Sequence, residues 1–167
     1  MERLLTFDAK NYTDDMRLYE KTTVRAIIQR GGKLAMQRSR TGVYKVPGGG
    51  IEPGETNLET LQREVLEETG LTILPETVKP LGEVLELRQD IFTPDVKYVC
   101  HTLYYSCDVG DTIAPLRLTP SEERLGFRLA WAELNTIIRN NEKAPKKGYP
   151  SKDTEFLKLI ANGTVVI

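Results

Sequence analysis

The run Gly49-Gly50-Ile51-Glu52-Pro53-Gly54-Glu55, followed after seven residues by Arg63-Glu64-Val65-Leu66-Glu67-Glu68-Thr69-Gly70-Leu71, decides how this chain is read. It gathers six acidic residues around a single arginine. Glu64, Glu67 and Glu68 fall at i, i+3 and i+4, so at about 100° per residue they share an arc of roughly 100° on one side of a helix. Like charges at that spacing repel by a few tenths of a kcal/mol per pair. Gly70 marks the helix end, and the macrodipole also disfavours negative charge in the last turns. Stability alone would not select this arrangement. A bound hard cation would reverse both penalties, and carboxylate oxygens are the ligands Mg²⁺ prefers.

The helix is bounded by recognisable signals. Thr56 is a credible N-cap, and Glu59 three residues later completes a capping box. Leu58, Leu61, Val65 and Thr69 form a stripe suited to packing on a sheet, with the carboxylates beside it. Pro47-Gly48-Gly49-Gly50 just upstream suits a sharply bent loop that lets another group approach its backbone. Loop, helix and acidic cluster are expected to form one unit, a phosphate-sized space flanked by carboxylates and backbone N–H groups.

The spacing G-x5-E-x7-R-E-V-L-E-E-T-G-L resembles the signature of the Nudix hydrolase family, G-x5-E-x7-R-E-U-x-E-E-x-G-U with U apolar, and no fixed position departs from it. The competing reading is a solvated acidic helix face, which leaves both the spacing and the penalties unexplained. The resemblance implies an α/β fold, an α/β/α sandwich with a mixed β-sheet, as a single domain over residues 1–167 with its box at 49–71. It implies metal ligands at Glu64, Glu67 and Glu68, filled by Mg²⁺ or Mn²⁺. It also implies that Arg63 and Glu55 pair to hold the loop against the helix, completing a catalytic set with Glu67 and Glu68. Arg38, Gly48 and Gly49 are expected at the substrate. The family's general base varies, and Glu122 and Glu123, ahead of a late strand, are candidates either for that role or for a solvated loop.

Composition bounds the answer without naming it. The 167 residues allow one sizeable core, burying roughly 70% of the unfolded chain's surface. A net charge of -1 and a pI near 6.0 argue against long nucleic acid as a partner. No apolar run approaches the roughly 18 residues of a membrane span, so a cytoplasmic protein, monomer or homodimer, is expected. Cys100 and Cys107 are too few for a disulfide framework and lack zinc-ligand spacing. They lie with His101 in a β-branched and aromatic run, where small thiols pack as apolar groups.

Further along, Thr22–Arg30, a Gly31-Gly32 turn and Lys33–Arg38 read as a β-hairpin. Val43–Val46, Leu81–Arg88, Tyr98–Val109 and Leu125–Ala130 read as extended, and Gly110–Glu123 as irregular. Trp131–Arg139 and Asp153–Ala161 read as helices, the latter burying Phe156, Leu157 and Ile160. Arg25 and the Lys143, Lys146 and Lys147 group could meet phosphates, though charged residues usually face solvent. Tyr98, Tyr104, Phe127 and Trp131 are candidates for stacking on a base, though strand aromatics are more often core.

What the resemblance implies for activity is metal-dependent cleavage of the diphosphate linkage in a nucleoside diphosphate joined to another moiety. The markers of the ADP-ribose and dinucleoside polyphosphate subgroups are missing, since Glu86, Leu87, Arg88 and Gln89 stand in their place. Nucleoside triphosphate hydrolysis to monophosphate and pyrophosphate is left by elimination. A nucleotide-sugar pyrophosphatase and a non-catalytic nucleotide sensor are the alternatives. Intact Glu64, Glu67 and Glu68 count against the sensor.

Overall fold

Alternating side chains along the second strand set the architecture, because they feed two separate cores. Strand β1 spans Arg3–Asp8 and β2 spans Arg17–Ile27. In β2 and just past it, Val24, Ala26 and Ile28 pack with Leu61 and Val65, while Ile27 packs on the other face with Tyr104, Phe156 and Leu157. A strand buried on both faces must lie between layers. The result is a mixed α/β sandwich, as the family resemblance implied. The computed structural model describes residues 1–144 and 151–167.

Beyond β2 come β3 (Gln29–Arg30), β4 (Lys33–Arg38), β5 (Tyr44–Lys45), helix α1 (Asn57–Thr69), β6 (Leu71–Ile73), β7 (Lys79–Gln89) and β8 (Val96–Ser106). The chain continues through β9 (Val109–Ile113), α2 (Pro120–Leu125), β10 (Arg128–Ala132), α3 (Leu134–Lys143) and α4 (Lys152–Ala161). One sheet runs β1-β7-β8-β2, with β1/β7 and β8/β2 parallel and β7/β8 antiparallel. A second runs β10-β4-β3, with β5 on β4, and β6 pairs with β9. Helix α1 covers one side, and α3 with α4 covers the other.

Several sequence expectations need correction. Trp131 lies in β10, not in a helix: its backbone pairs with Ala35 of β4, and the helix begins only at Leu134. The stretch expected to be irregular contains most of β9 and opens α2. Leu125 and its neighbours close that helix rather than start a strand. Strand β1, absent from the sequence reading, is held at the sheet edge by β7. Leu58 sits in the exposed first turn of α1, whereas Leu61, Val65 and Thr69 are buried as expected. Ile160 is half-buried beside the fully buried Phe156 and Leu157.

Helix α4 fixes the strands behind the acidic cluster. Asp153 accepts hydrogen bonds from the Tyr104 hydroxyl at 2.7 Å and from the Val46 amide at 3.2 Å, and pairs with Arg25 at 3.7 Å. Asn141 of α3 both donates to and accepts from the Tyr44 backbone, at 2.9 and 2.7 Å. The short strand β5, and Lys45 on it, is therefore clamped from two helices. Tyr104 stacks on Phe156 at 3.7 Å and is fully buried, which removes it as a base platform. Cys100 and Cys107 are buried free thiols. Among the described residues no helix is long and apolar enough to cross a membrane.

Candidate active site

Helix α1 starts and stops where its sequence directs. Thr56 accepts from the Glu59 amide and Glu59 answers to the Thr56 amide, closing the capping box. At the other end Gly70 takes φ 74° and its N–H returns to the Leu66 carbonyl. These boundaries present Glu64 and Glu68 toward the glycine loop, while Glu67 lies beside Arg63.

The loop meets them by close approach. Gly48 has φ +136°, and its N–H donates to Glu68 Oε2 at 2.7 Å. A Cβ there would lie 2.1 Å from the Val24 carbonyl oxygen. At Gly49 a Cβ would lie 2.2 Å from the Glu64 carboxylate. Gly48 is thus needed to let β2 close on the loop, and Gly49 to leave the Glu64 carboxylate in its place. The Gly48 N–H faces a protein carboxylate, not the open phosphate-sized space expected from the sequence.

Arg63 is the hub on the outer side. Its Nε and Nη2 grip both oxygens of Glu55 at 2.6 and 2.8 Å, a bidentate fork. Its Nη1 donates to Glu64 at 2.8 Å and lies 3.6 Å from Glu67. With Thr60 adding a further hydrogen bond, Arg63 holds the Glu55 carboxyl down at about 2.

Glu68 turns inward and is only 4% exposed. Its free oxygen, Oε1, accepts from Lys45 Nζ at 2.9 Å. Burial raises its pKa, against the pull of Lys45 and the Gly48 amide. The same ammonium reaches Glu122 Oε1 at 3.3 Å. Glu122 Oε2 caps α2 by accepting from the Thr119 amide and hydroxyl at 3.0 and 2.8 Å. Burial opposes ionisation of Glu122, but those hydrogen bonds and Lys45 outweigh it and hold the group at about 2. Glu123 is solvent-exposed on the same helix.

Two further polar side chains face this region. Gln37 pairs directly with Lys45 across β4/β5, so both project from the same face. Gln37 is fully buried and lies near enough to Glu68 to favour its charged form, yet neither amide atom meets hydrogen-bond geometry among the described residues. Arg25 likewise has Nε and Nη1 buried without such a partner. Burial works against its charge, while Asp153, and then Glu68 and Glu64, sustain it.

Arg38 is one residue on from Gln37, and the period of two sends it to the other face with Tyr44. It lines a cleft of about 340 Å³ with Thr41, Gly42, Val43, Asn140 and Lys143, and does not join the glutamates. Lys146 and Lys147 lie outside the described residues. His101 is held between Glu83 at 2.6 Å and Glu20 at 2.8 Å, in a separate cavity with Asn57 and Tyr105.

The donor set suits a hard divalent cation: Glu64, Glu67 and Glu68 supply only oxygen, and an ammonium already stands as a cation against Glu68 and Glu122. Among the described residues, however, no three metal-ligating side chains converge as a finished cage. Glu64 and Glu67 lean on Arg63, and Glu68 on Lys45. Lys45 was not anticipated from sequence.

The chain belongs to the NUDIX family, whose domain it matches over residues 20–153. It is 49% identical over 47 residues to human 8-oxo-dGDP phosphatase NUDT18, covering 28% of this chain and 15% of that protein. It is 42% identical over 67 residues to nucleoside triphosphatase NudI of Enterobacter sp. (strain 638), covering 36% of this chain and 48% of that one. The match thus spans less than half the length of either relative. A NUDIX hydrolase from Nitrosomonas europaea superposes with a TM-score of 0.60 at 22% identity, covering 87% of this chain and 90% of that one, a likeness of fold alone.

Proposed function

We propose that the protein hydrolyses a nucleoside triphosphate to the monophosphate and pyrophosphate, with Mg²⁺ or Mn²⁺ held by Glu64, Glu67 and Glu68. The observation that carries this reading is the interlock of Gly48 with Glu68 and Gly49 with Glu64, which fixes a carboxylate row against a bent loop. An anionic row of that kind would repel a polyphosphate by itself. The bound ion would neutralise the diphosphate and lower the pKa of attacking water.

The chain's own groups then divide the work. Arg63, gripping Glu55 and touching Glu64, keeps the loop and helix in register. Gly48 holds one oxygen of Glu68, so the ion would meet the other, which Lys45 contacts in its absence. Glu67 is the most exposed of the three carboxylates, at 35%, and opens on a cleft of about 330 Å³ with Arg117. With one oxygen on the ion, its other would take the proton from water as the water oxygen bonds to phosphorus and the anhydride P–O bond breaks. The names of NudI and NUDT18, a nucleoside triphosphatase and a nucleoside diphosphate phosphatase, support a simple nucleotide over ADP-ribose.

A substrate panel with Mg²⁺ or Mn²⁺ tests this reading. Nucleoside triphosphates should yield monophosphate and pyrophosphate in equal amounts. Release of orthophosphate from diphosphates alone, or turnover confined to ADP-ribose, would replace the substrate assigned here.

A further inference from the structure

Glu68 and Glu122 are built alike. Each has one carboxylate oxygen committed to the backbone, Glu68 Oε2 to the Gly48 amide and Glu122 Oε2 to the Thr119 amide. Each has its other oxygen on Lys45 Nζ, at 2.9 and 3.3 Å. Neither carboxylate can rotate without giving up a backbone hydrogen bond, so the two free oxygens are aimed at one position. That position is taken by the side chain's own cation. The base of Lys45 cannot drift, because Asn141 and Asp153 fix the backbone on either side of it. The fully buried Gln37 amide, unpartnered among the described residues, projects from the same face.

We propose that Lys45 is a tethered cation within the metal site, which occupies the oxygens of Glu68 and Glu122 in the metal-free protein and competes with the divalent ion for them. The inference rests on the metal-binding role proposed above for Glu68. A divalent ion draws carboxylate oxygen to about 2.0–2.1 Å. On Glu68 Oε1 it would stand roughly 4–5 Å from the Lys45 ammonium, where like charges repel, so loading favours a swing of Lys45 off Glu68. Its flexible four-carbon stem allows that, and its 30% exposure leaves room toward solvent. Lys45 thus lowers affinity for the ion while keeping two acidic groups neutralised when no ion is present. It is a positioning residue, since it acts through Glu68 and Glu122.

Mn²⁺ titration of the whole protein, followed by the EPR signal of free Mn²⁺, tests this without turnover. Lys45→Met should bind Mn²⁺ more tightly than wild type, by about tenfold for loss of one unit charge beside a dication. Its metal-free melting temperature should fall, and the rise on adding Mn²⁺ should be larger than in wild type. Should Lys45→Met not fold, Lys45→Gln removes the same charge, keeps a hydrogen-bond donor and should also bind more tightly. Unchanged or weaker binding in the folded variant, with wild type binding normally, would overturn the role of Lys45. Absence of Mn²⁺ binding by wild type would instead overturn the metal reading itself, and this inference with it.

Discussion

The Gly48 amide donates to Glu68 Oε2 over 2.7 Å, joining the glycine loop to the last turns of α1. That single bond determines which oxygen of Glu68 remains free, and so where a ligand can be met. Gly49 makes a different contribution, since it only yields space to the Glu64 carboxylate.

Alanine separates the two glycines. In Gly48→Ala the new methyl meets the Val24 carbonyl at a positive φ, a backbone clash that cannot relax, and should cost about 1–3 kcal/mol. In Gly49→Ala the clash is with the end of a flexible side chain, so Glu64 moves aside. Denaturant melts should show Gly48→Ala destabilised and Gly49→Ala near wild type, with turnover lost in the latter all the same. Equal stability losses would mean that both glycines serve the backbone alone.

Acid stability should report the Arg63–Glu55 fork. Glu55 is held at about 2 against an ordinary value of 4.5. A depressed folded pKa gives stability that is fully present above 4.5 and is lost as pH falls toward 2. Arg63→Ala should lower the melting temperature at neutral pH and flatten its decline across that acid window. Arg63→Lys should restore little, because an ammonium cannot fork onto both oxygens. A decline as steep in Arg63→Ala as in wild type would detach Glu55 from Arg63.

Glu122 is a poor choice of proton acceptor when its pKa is about 2 and its second oxygen caps α2. The acidic limb of the pH–rate profile should therefore stay in place in Glu122→Gln, and also in Glu123→Gln, whose side chain faces solvent. Glu67→Gln should remove that limb. If the limb vanished in Glu122→Gln instead, water deprotonation would belong to Glu122.

The box was legible because its determinants are local. Thr56, Glu59 and Gly70 bound a helix that places Glu64, Glu67 and Glu68 by spacing alone, and the structure forms that helix at Asn57–Thr69. What escaped depends on distant partners. Trp131 joins a strand because Ala35 pairs with it, and nothing near Trp131 announces β4. Lys45 matters through Glu68 and Glu122, 23 and 77 residues away. Arg38 follows the hairpin and precedes the glycine loop, which makes it a candidate in sequence, yet the alternation along β4 turns Gln37 toward Glu68 and Arg38 to the opposite face. The sign of a side chain is visible in sequence, but the face it occupies depends on the pairing register.

The most direct measurement of the central claim is turnover of a nucleoside triphosphate with Mg²⁺ and then with excess EDTA, recorded beside the near-UV circular dichroism of the same samples. Wild type should lose turnover in EDTA and regain it when Mg²⁺ is restored in excess, with its tertiary spectrum intact throughout, because the two cores flanking the central sheet include none of the three glutamates. Glu68→Gln should fold and stay nearly inactive under both conditions, since burial already disfavours the charge it loses. Full turnover of wild type in excess EDTA, or of Glu68→Gln with Mg²⁺, would contradict a metal-dependent reaction built on the carboxylates of α1.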